Sequence, residues 1–299
     1  MNIRNQSSFE GHTGAVYVVC PSSETGVFYS GASDGYLVEW NSKQPETGKV
    51  LFHLESPIYA ICILDNRNEC IAVGTAKGFL YILDTKSKQI KHKIVAHQGA
   101  IFDLKVFKNQ LVSVAADGQV MAWNLLDYSK SFQLNFSEKS ARVIAQSIDP
   151  NCFYIGYSDF SIREFEGTEK PILKKELLAH TQSVFALAVH PQTGNLASGG
   201  RDAHLKYWHN NELQTSIPAH LSHINCLAFQ AAGHLLLSVS MDKTIKIWNA
   251  NDLTLLKVID QTKMKAHKHS VNKVCWLSDK TFLTCGDDRM IYLWEIEGA

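Results

Sequence analysis

Five times along this 299-residue chain a histidine, a hydroxyl and an aspartate recur in fixed order: His12, Ser30, Asp34; His97, Ser113, Asp117; His180, Ser198, Asp202; His220, Ser238, Asp242; His267, Thr284, Asp288. These are the residue types of a nucleophilic triad, in which an aspartate orients an imidazole that takes the proton of an attacking oxygen. One copy would be a candidate hydrolase site. Five copies, at His-to-Asp intervals of 22, 20, 22, 22 and 21 residues, read as structure instead, because active sites are not built in fives. Six places after each aspartate stands a tryptophan, Trp40, Trp123, Trp208, Trp248 or Trp294, beside which the set is expected to be buried. No catalytic residue is expected.

Metal chemistry has little more support. Five of the thirteen histidines belong to the repeat, and the nearest groupings (His220 with His223, His267 with His269, His204 with His209), two of which include a repeat histidine, have no cysteine pair or acidic cluster beside them. Neither a metal nor a cofactor is expected. Ser198-Gly199-Gly200-Arg201-Asp202 reads as a strand end and turn, since no helix opens after it as a phosphate cradle requires.

The elements that must position these side chains follow from their period. Alternating runs close at residues 40, 83, 123, 165, 208, 248 and 294, in steps of 43, 40, 42, 43, 40 and 46, so seven units fill the chain. In the second and fourth units the histidine position falls near Leu54 and Ser137, the hydroxyl position holds Val73 and Ile155, and the tryptophan position holds Leu83 and Phe165. Apart from a lone Asp159, the polar set is present together or absent together. That is the behaviour of one buried hydrogen-bonded network, because a half-satisfied network costs more than an apolar replacement.

This pattern closely resembles the WD40 repeat family over essentially the whole chain. It departs in that no tryptophan here is followed by aspartate; Asn41, Asn124, His209, Asn249 and Glu295 stand there instead. The resemblance implies an all-β, seven-bladed propeller of four-stranded antiparallel blades in which Asp, His, Ser/Thr and Trp of a blade are hydrogen-bonded. The chain then reads as one domain, with blades at about 13–54, 55–96, 97–137, 138–179, 180–219, 220–266 and 267–299 plus 1–11. Within a unit the expected order is an alternating run after the histidine, an apolar run ending at the hydroxyl, a run ending at the tryptophan, and a more polar outer run. The last unit has too few residues for its fourth strand. Three places before each histidine of the full units is an apolar residue, Phe9, Ile94, Leu177, Ile217 or Met264, so Ile3 to Phe9 is expected to complete the seventh blade.

The resemblance also implies where partners dock: on the face around the central channel, at the third and fifth residues after the histidine and the one before the aspartate. The fifth positions are Tyr17, Tyr59, Phe102, Arg142, Phe185, Asn225 and Asn272. Blades 1 to 3 would present an aromatic, shallow, uncharged crescent amid Ala15, Pro57, Ala76, Ala100 and Ala116, and Arg201 precedes Asp202 in blade 5. Tyr17, Tyr59, Phe102 and Phe185 are the expected anchors, with Arg142 and Arg201 selecting an acidic or aromatic group. The implied function is a non-catalytic protein interaction module or scaffold that binds a peptide or protein surface.

Composition bounds the alternatives. Apolar residues are 45%, charged 19% and aromatic 10%, and 29 Lys and Arg balance 29 Asp and Glu. Disorder is excluded as the main state, and zero net charge speaks against a nucleic-acid or anionic-surface binder. Such a binder would rest on Arg142, Arg201 and a basic run, Lys86, Lys88, Lys91, His92 and Lys93, expected on a solvated fourth strand. A propeller enzyme would need convergent carboxylates or histidines, and the contact positions supply only Asp287 and His223. Seven cysteines within apolar runs read as reduced thiols. No signal peptide or membrane-inserting run is read, so a cytoplasmic monomer is the expectation. Deleting residues 1–10 reopens a sheet edge: the truncated chain is expected to aggregate or melt well below the intact one, and an unchanged melting temperature would refute the closure.

Overall fold

The computed structural model describes residues 1–65, 67 and 69–297. Seven four-stranded antiparallel sheets are arranged in a ring, each built from consecutive strands except one. In that one, Asn2–Phe9 is the outer strand beside Ile291–Glu297, with Ile3 opposite Ile296 and Phe9 opposite Ile291. The ring therefore closes through both ends of the described chain. Phe9 is 1% exposed and reaches across to blade 1, its ring 4.9 Å from Phe28 and 5.7 Å from Trp40. Arg4 Nε donates to Glu295 at 2.8 Å on the solvent side of the seam.

Burial is greatest in the second strand of a blade and least in the outer one. The second strand of blade 1, Val27–Ala32, is buried along all six residues, whereas the outer strand of blade 2, Gln89–Val95, is exposed at nearly every position. Hydrophobic clusters join side chains of adjacent blades, so neither face of an interior blade is left to water.

The spacing between blades is set by paired volumes. The residue after the hydroxyl position in the second strand meets the first residue of the next blade's inner strand. A Cβ at Gly74 would lie 2.6 Å from Ile101 Cγ2, one at Gly199 2.6 Å from Ile224 Cγ2, and one at Gly156 2.8 Å from Val184 Cγ1; Gly31 is likewise filled by Ile58. Blade 3 reverses the sizes: Val114 occupies the second-strand position and Ala141 the next blade's. Val239 with Val271 and Cys285 with Val16 are intermediate pairs. Glycine in a strand interior is normally unfavourable, and its recurrence here reflects this close approach.

All seven inner strands carry a β-bulge at one equivalent place, between Val16/Val18, Ile58/Ala60, Ile101/Asp103, Ala141/Val143, Val184/Ala186, Ile224/Cys226 and Val271/Lys273. The skipped residue is the fifth after the histidine position. A bulge leaves its extra residue outside the ladder and re-aims its side chain.

Two details differ from the sequence expectation. The second strand does not end at the hydroxyl; Ser30 and Ser238 sit inside Val27–Ala32 and Leu235–Ser240, because two further residues keep pairing with the inner strand. The basic run is not all strand. Asp84 Oδ1 accepts the amides of Lys86 and Ser87, and Lys88 has φ 55°, so Lys86 and Lys88 lie in the turn before Gln89–Val95.

The paired volumes give a direct test. Ala141→Ile is expected to collide with Val114 and cost about 1–3 kcal/mol, and adding Val114→Gly should recover much of it. Urea melts of the two single variants and the double variant measure the coupling, and strictly additive losses would refute the pairing.

Candidate functional site

Each polar set forms one directed chain of hydrogen bonds. In blade 1, Trp40 Nε1 donates to Ser30 Oγ at 2.7 Å, Ser30 Oγ lies 2.7 Å from His12 Nε2, and His12 Nδ1 lies 3.1 Å from Asp34 Oδ2. An indole N–H can only donate. The hydroxyl that accepts it therefore has its own proton for Nε2, which leaves the neutral imidazole's proton on Nδ1, facing the carboxylate. The same order repeats in the other four full blades. Trp123, Trp208 and Trp248 donate to Ser113, Ser198 and Ser238 at 3.2, 2.9 and 2.8 Å, and Trp294 donates to Thr284 at 2.8 Å. His97, His180, His220 and His267 reach Asp117, Asp202, Asp242 and Asp288 at 3.1, 3.0, 3.0 and 2.9 Å.

The aspartates tie this chain to the loops. Asp34 also accepts the amides of Thr13 at 2.8 Å and Tyr36 at 3.1 Å, joining the histidine loop to the turn before the third strand. All five hydroxyl residues are 0% exposed. A nucleophile so enclosed, with its proton and lone pair both engaged, cannot meet a substrate.

Blades 2 and 4 make the same turns by other means. Thr75 Oγ1 accepts the Phe79 amide at 3.2 Å in blade 2. In blade 4, Asp159 accepts from Ser161 Oγ at 2.6 Å and from Arg163 Nη1 at 2.9 Å, while Arg163 also donates to Glu176 and lies 4.4 Å from the Tyr157 ring centroid. The lone Asp159 thus has a guanidinium in place of the imidazole.

Around the channel mouth the three contact positions of every blade are physically linked. The carbonyl of the third residue after the histidine position accepts the amide of the residue before the aspartate position: Ala15 from Ser33, Pro57 from Ala76, Ala100 from Ala116, Ser140 from Ser158, Ser183 from Arg201, His223 from Met241 and Ser270 from Asp287, at 2.8–3.0 Å. Between them the bulge directs the fifth residue at the channel. Tyr17 and Tyr59 rings are 4.7 Å apart, Tyr59 and Phe102 6.1 Å. The Arg142 guanidinium then lies 4.2 Å from the Phe102 centroid and 5.2 Å from that of Phe185. The structure brings together five of the six partner-site residues read from the sequence; Arg201 stands exposed at the rim. Burial, then Tyr59 and Asp287, push the Tyr17 phenol up, and burial, then Arg201, lowers Arg142.

The mouth carries two charges that the sequence reading did not place there. Tyr17, Tyr59, Phe102, Arg142 and Phe185 line a cavity of about 320 Å³ together with Asp103, Val143, Asn225, Asn272 and Lys273. Sequence reading missed Asp103 and Lys273, which follow the bulged residue. The equivalent residues elsewhere are Val18, Ala60, Val143, Ala186 and Cys226, so a charge in a column of small side chains was the available signal. Several polar groups of the mouth are already engaged. Asn225 Nδ2 donates to Val271 O at 2.9 Å and Asn272 Nδ2 to Val16 O at 3.0 Å, stitching blades 6 to 7 and 7 to 1. Asp103 accepts the amides of Leu104 and Ile144, each at 3.0 Å, stitching blade 3 to 4. On the outer strand of blade 2, Lys91 pairs with Asp84 at 2.9 Å and Lys93 lies 4.8 Å from the Phe79 centroid, so two of its cations already have partners.

Comparison with known proteins agrees with this geometry. The family model described as WD domain, G-beta repeat matches residues 171–209, 211–249 and 259–295, and one described as IP5P C-F beta-propeller matches 9–123. Human striatin is 25% identical over 293 residues, covering 92% of this chain and 33% of its own length, and the mouse striatin is 23% identical with the same coverage. Protein HIRA of Dictyostelium discoideum is 29% identical over 147 residues, 42% of this chain and 13% of its own. The chain thus spans a third or less of these relatives. The crystal structure of the WD40 beta propeller domain of Doa1 superposes with a TM-score of 0.86 at 19% identity, covering 99% of this chain and 98% of that one.

The buried sets have a pH signature. Burial lowers His12, His97 and His220 below the usual imidazole value of 6.5, against the pull of their aspartates. Burial alone would raise Asp34 and Asp288, but amide donors and the imidazoles outweigh it and hold both below the usual 3.8. Both kinds of group bind fewer protons folded than unfolded, so their stabilisation is complete above the unfolded value and is lost as pH falls. Thermal melts are expected to decline from about pH 6.5 downward through the histidines, and again below about pH 4 through the carboxylates. A melting temperature flat from pH 7 to pH 5 would contradict the neutral-imidazole network.

Proposed function

Because this chain belongs to the WD40 repeat family, we propose that it is a non-catalytic interaction scaffold which holds a peptide or protein segment over the channel mouth. The observation that carries the reading is the continuous row Tyr17, Tyr59, Phe102, Arg142, Phe185, each on a bulge that places it outside the sheet ladder. Aromatic and arginine side chains are the types that dominate binding energy at interfaces, and rigid, partly buried ones lose little entropy on association. Relatives that carry the matching segment as a fraction of a longer chain suit a docking module. The enclosure of every Ser–His–Asp set supports the non-catalytic part of the reading.

Tyr59→Ala with Phe102→Ala tests it. Each truncation at a hot spot costs about 2 kcal/mol or more, so partners captured quantitatively by the wild type should be lost from the double variant while its melting curve stays cooperative. Undiminished capture by a folded double variant would overturn the proposal.

A further inference from the structure

The cavity at the mouth carries a surplus of positive charge. Arg142 and Lys273 both line it, and Asp103 is the single carboxylate among its lining residues, with both oxygens taken by backbone amides. Among the described residues Lys273 has no hydrogen-bond or ion-pair partner, and Arg142 donates only through Nε, to Ser158 Oγ at 2.9 Å. At the rim of the same face Arg201 adds a third cation and Asp287, which accepts from Asn272 Nδ2 at 2.8 Å, a second anion, so the balance stays positive.

We propose that this cavity recognises a carboxylate, the side chain of an aspartate or glutamate in an acidic peptide segment of a partner protein, seated against the open edge of Arg142 and the ammonium of Lys273. This rests on the mouth being the partner site. The geometry of Arg142 carries it: the guanidinium lines the cavity held between two phenyl rings and Ser158, and neither of its two terminal nitrogens has an acceptor among the described residues. Such a pair matches the two oxygens of a planar carboxylate. A cationic ligand is disfavoured, because Arg142 already covers the faces of Phe102 and Phe185 and would repel it. About 320 Å³ is at the small end of ligand cavities, enough for a side chain or two. Tyr17 and Tyr59 line the same cavity between the blades of Lys273 and Arg142 and would pack an apolar neighbour of the acidic residue.

The test uses the full chain to select from a phage-displayed library of random linear dodecapeptides, with selected peptides then synthesised and titrated by fluorescence anisotropy. Selected peptides are expected to share an Asp or Glu beside an apolar or aromatic residue. Changing that Glu to Gln, or the protein by Arg142→Gln or by Lys273→Gln, is expected to weaken binding by roughly tenfold to a hundredfold. Arg142→Lys should restore only part of it, since it keeps the charge and loses the paired donors. Peptides without acidic enrichment that need Tyr59 and Phe102 but tolerate Arg142→Gln would overturn the carboxylate assignment and leave the interaction reading standing. Peptides indifferent to the Tyr59→Ala, Phe102→Ala variant, or no selected peptides at all, would overturn both. Tighter binding when phosphoserine replaces the Glu would overturn the choice of carboxylate over phosphate. Melting curves of each variant establish that the protein assayed is folded.

Discussion

A four-stranded sheet with two apolar faces has nowhere to exist except between two others like it, and the whole molecule follows from that requirement. Seven such sheets satisfy one another only as a closed ring, which is why Asn2–Phe9 pairs with Ile291–Glu297 and why Phe9 is shared between the last blade and the first. The fit between neighbours is steric at its innermost point. A glycine on one blade receives an isoleucine or valine of the next, and where the second strand carries Val114 the next blade answers with Ala141. Interiors packed to crystal-like density leave no slack for both partners to be large.

The polar chains act at right angles to this packing. Trp, Ser or Thr, His and Asp bind the strands of one blade to each other and to its histidine loop, while the bulge asparagines and Asp103 bind one blade to the next. Blades 2 and 4 manage without the imidazole because Thr75 and the Asp159–Arg163 pair hold the same turns. What recurs is the need to satisfy the donors of one turn, and the chemistry that meets it varies.

Much of this was legible in the residues. His12 through Trp294 recur at nearly constant spacing because each occupies one place in a repeated unit, and Phe9 betrays the closing strand because it repeats Ile94 and Leu177. The bulge was not legible, since one extra residue in Val16-Tyr17-Val18-Val19 leaves only a single slip of the alternation, easily absorbed in a short apolar run. Missing the bulge meant missing what comes after it. Asp103 and Lys273 have no counterpart in the pattern of contact positions, although Asp103 puts a charge in the first three blades and Lys273 lines the same cavity from the seventh. The turn at Lys86 and Lys88 escaped for a different reason: it is imposed by the side chain of Asp84, which pattern alone does not distinguish from a strand residue.

Seven residues stand off the ladder, one per blade, each between neighbours whose backbone bonds close around it without its help. Exchanging any of the five that are not asparagine leaves those backbone hydrogen bonds in place, together with the bonds by which Asn225 and Asn272 join neighbouring blades. A lineage can therefore rewrite what this surface recognises one codon at a time, with the scaffold indifferent to the edit.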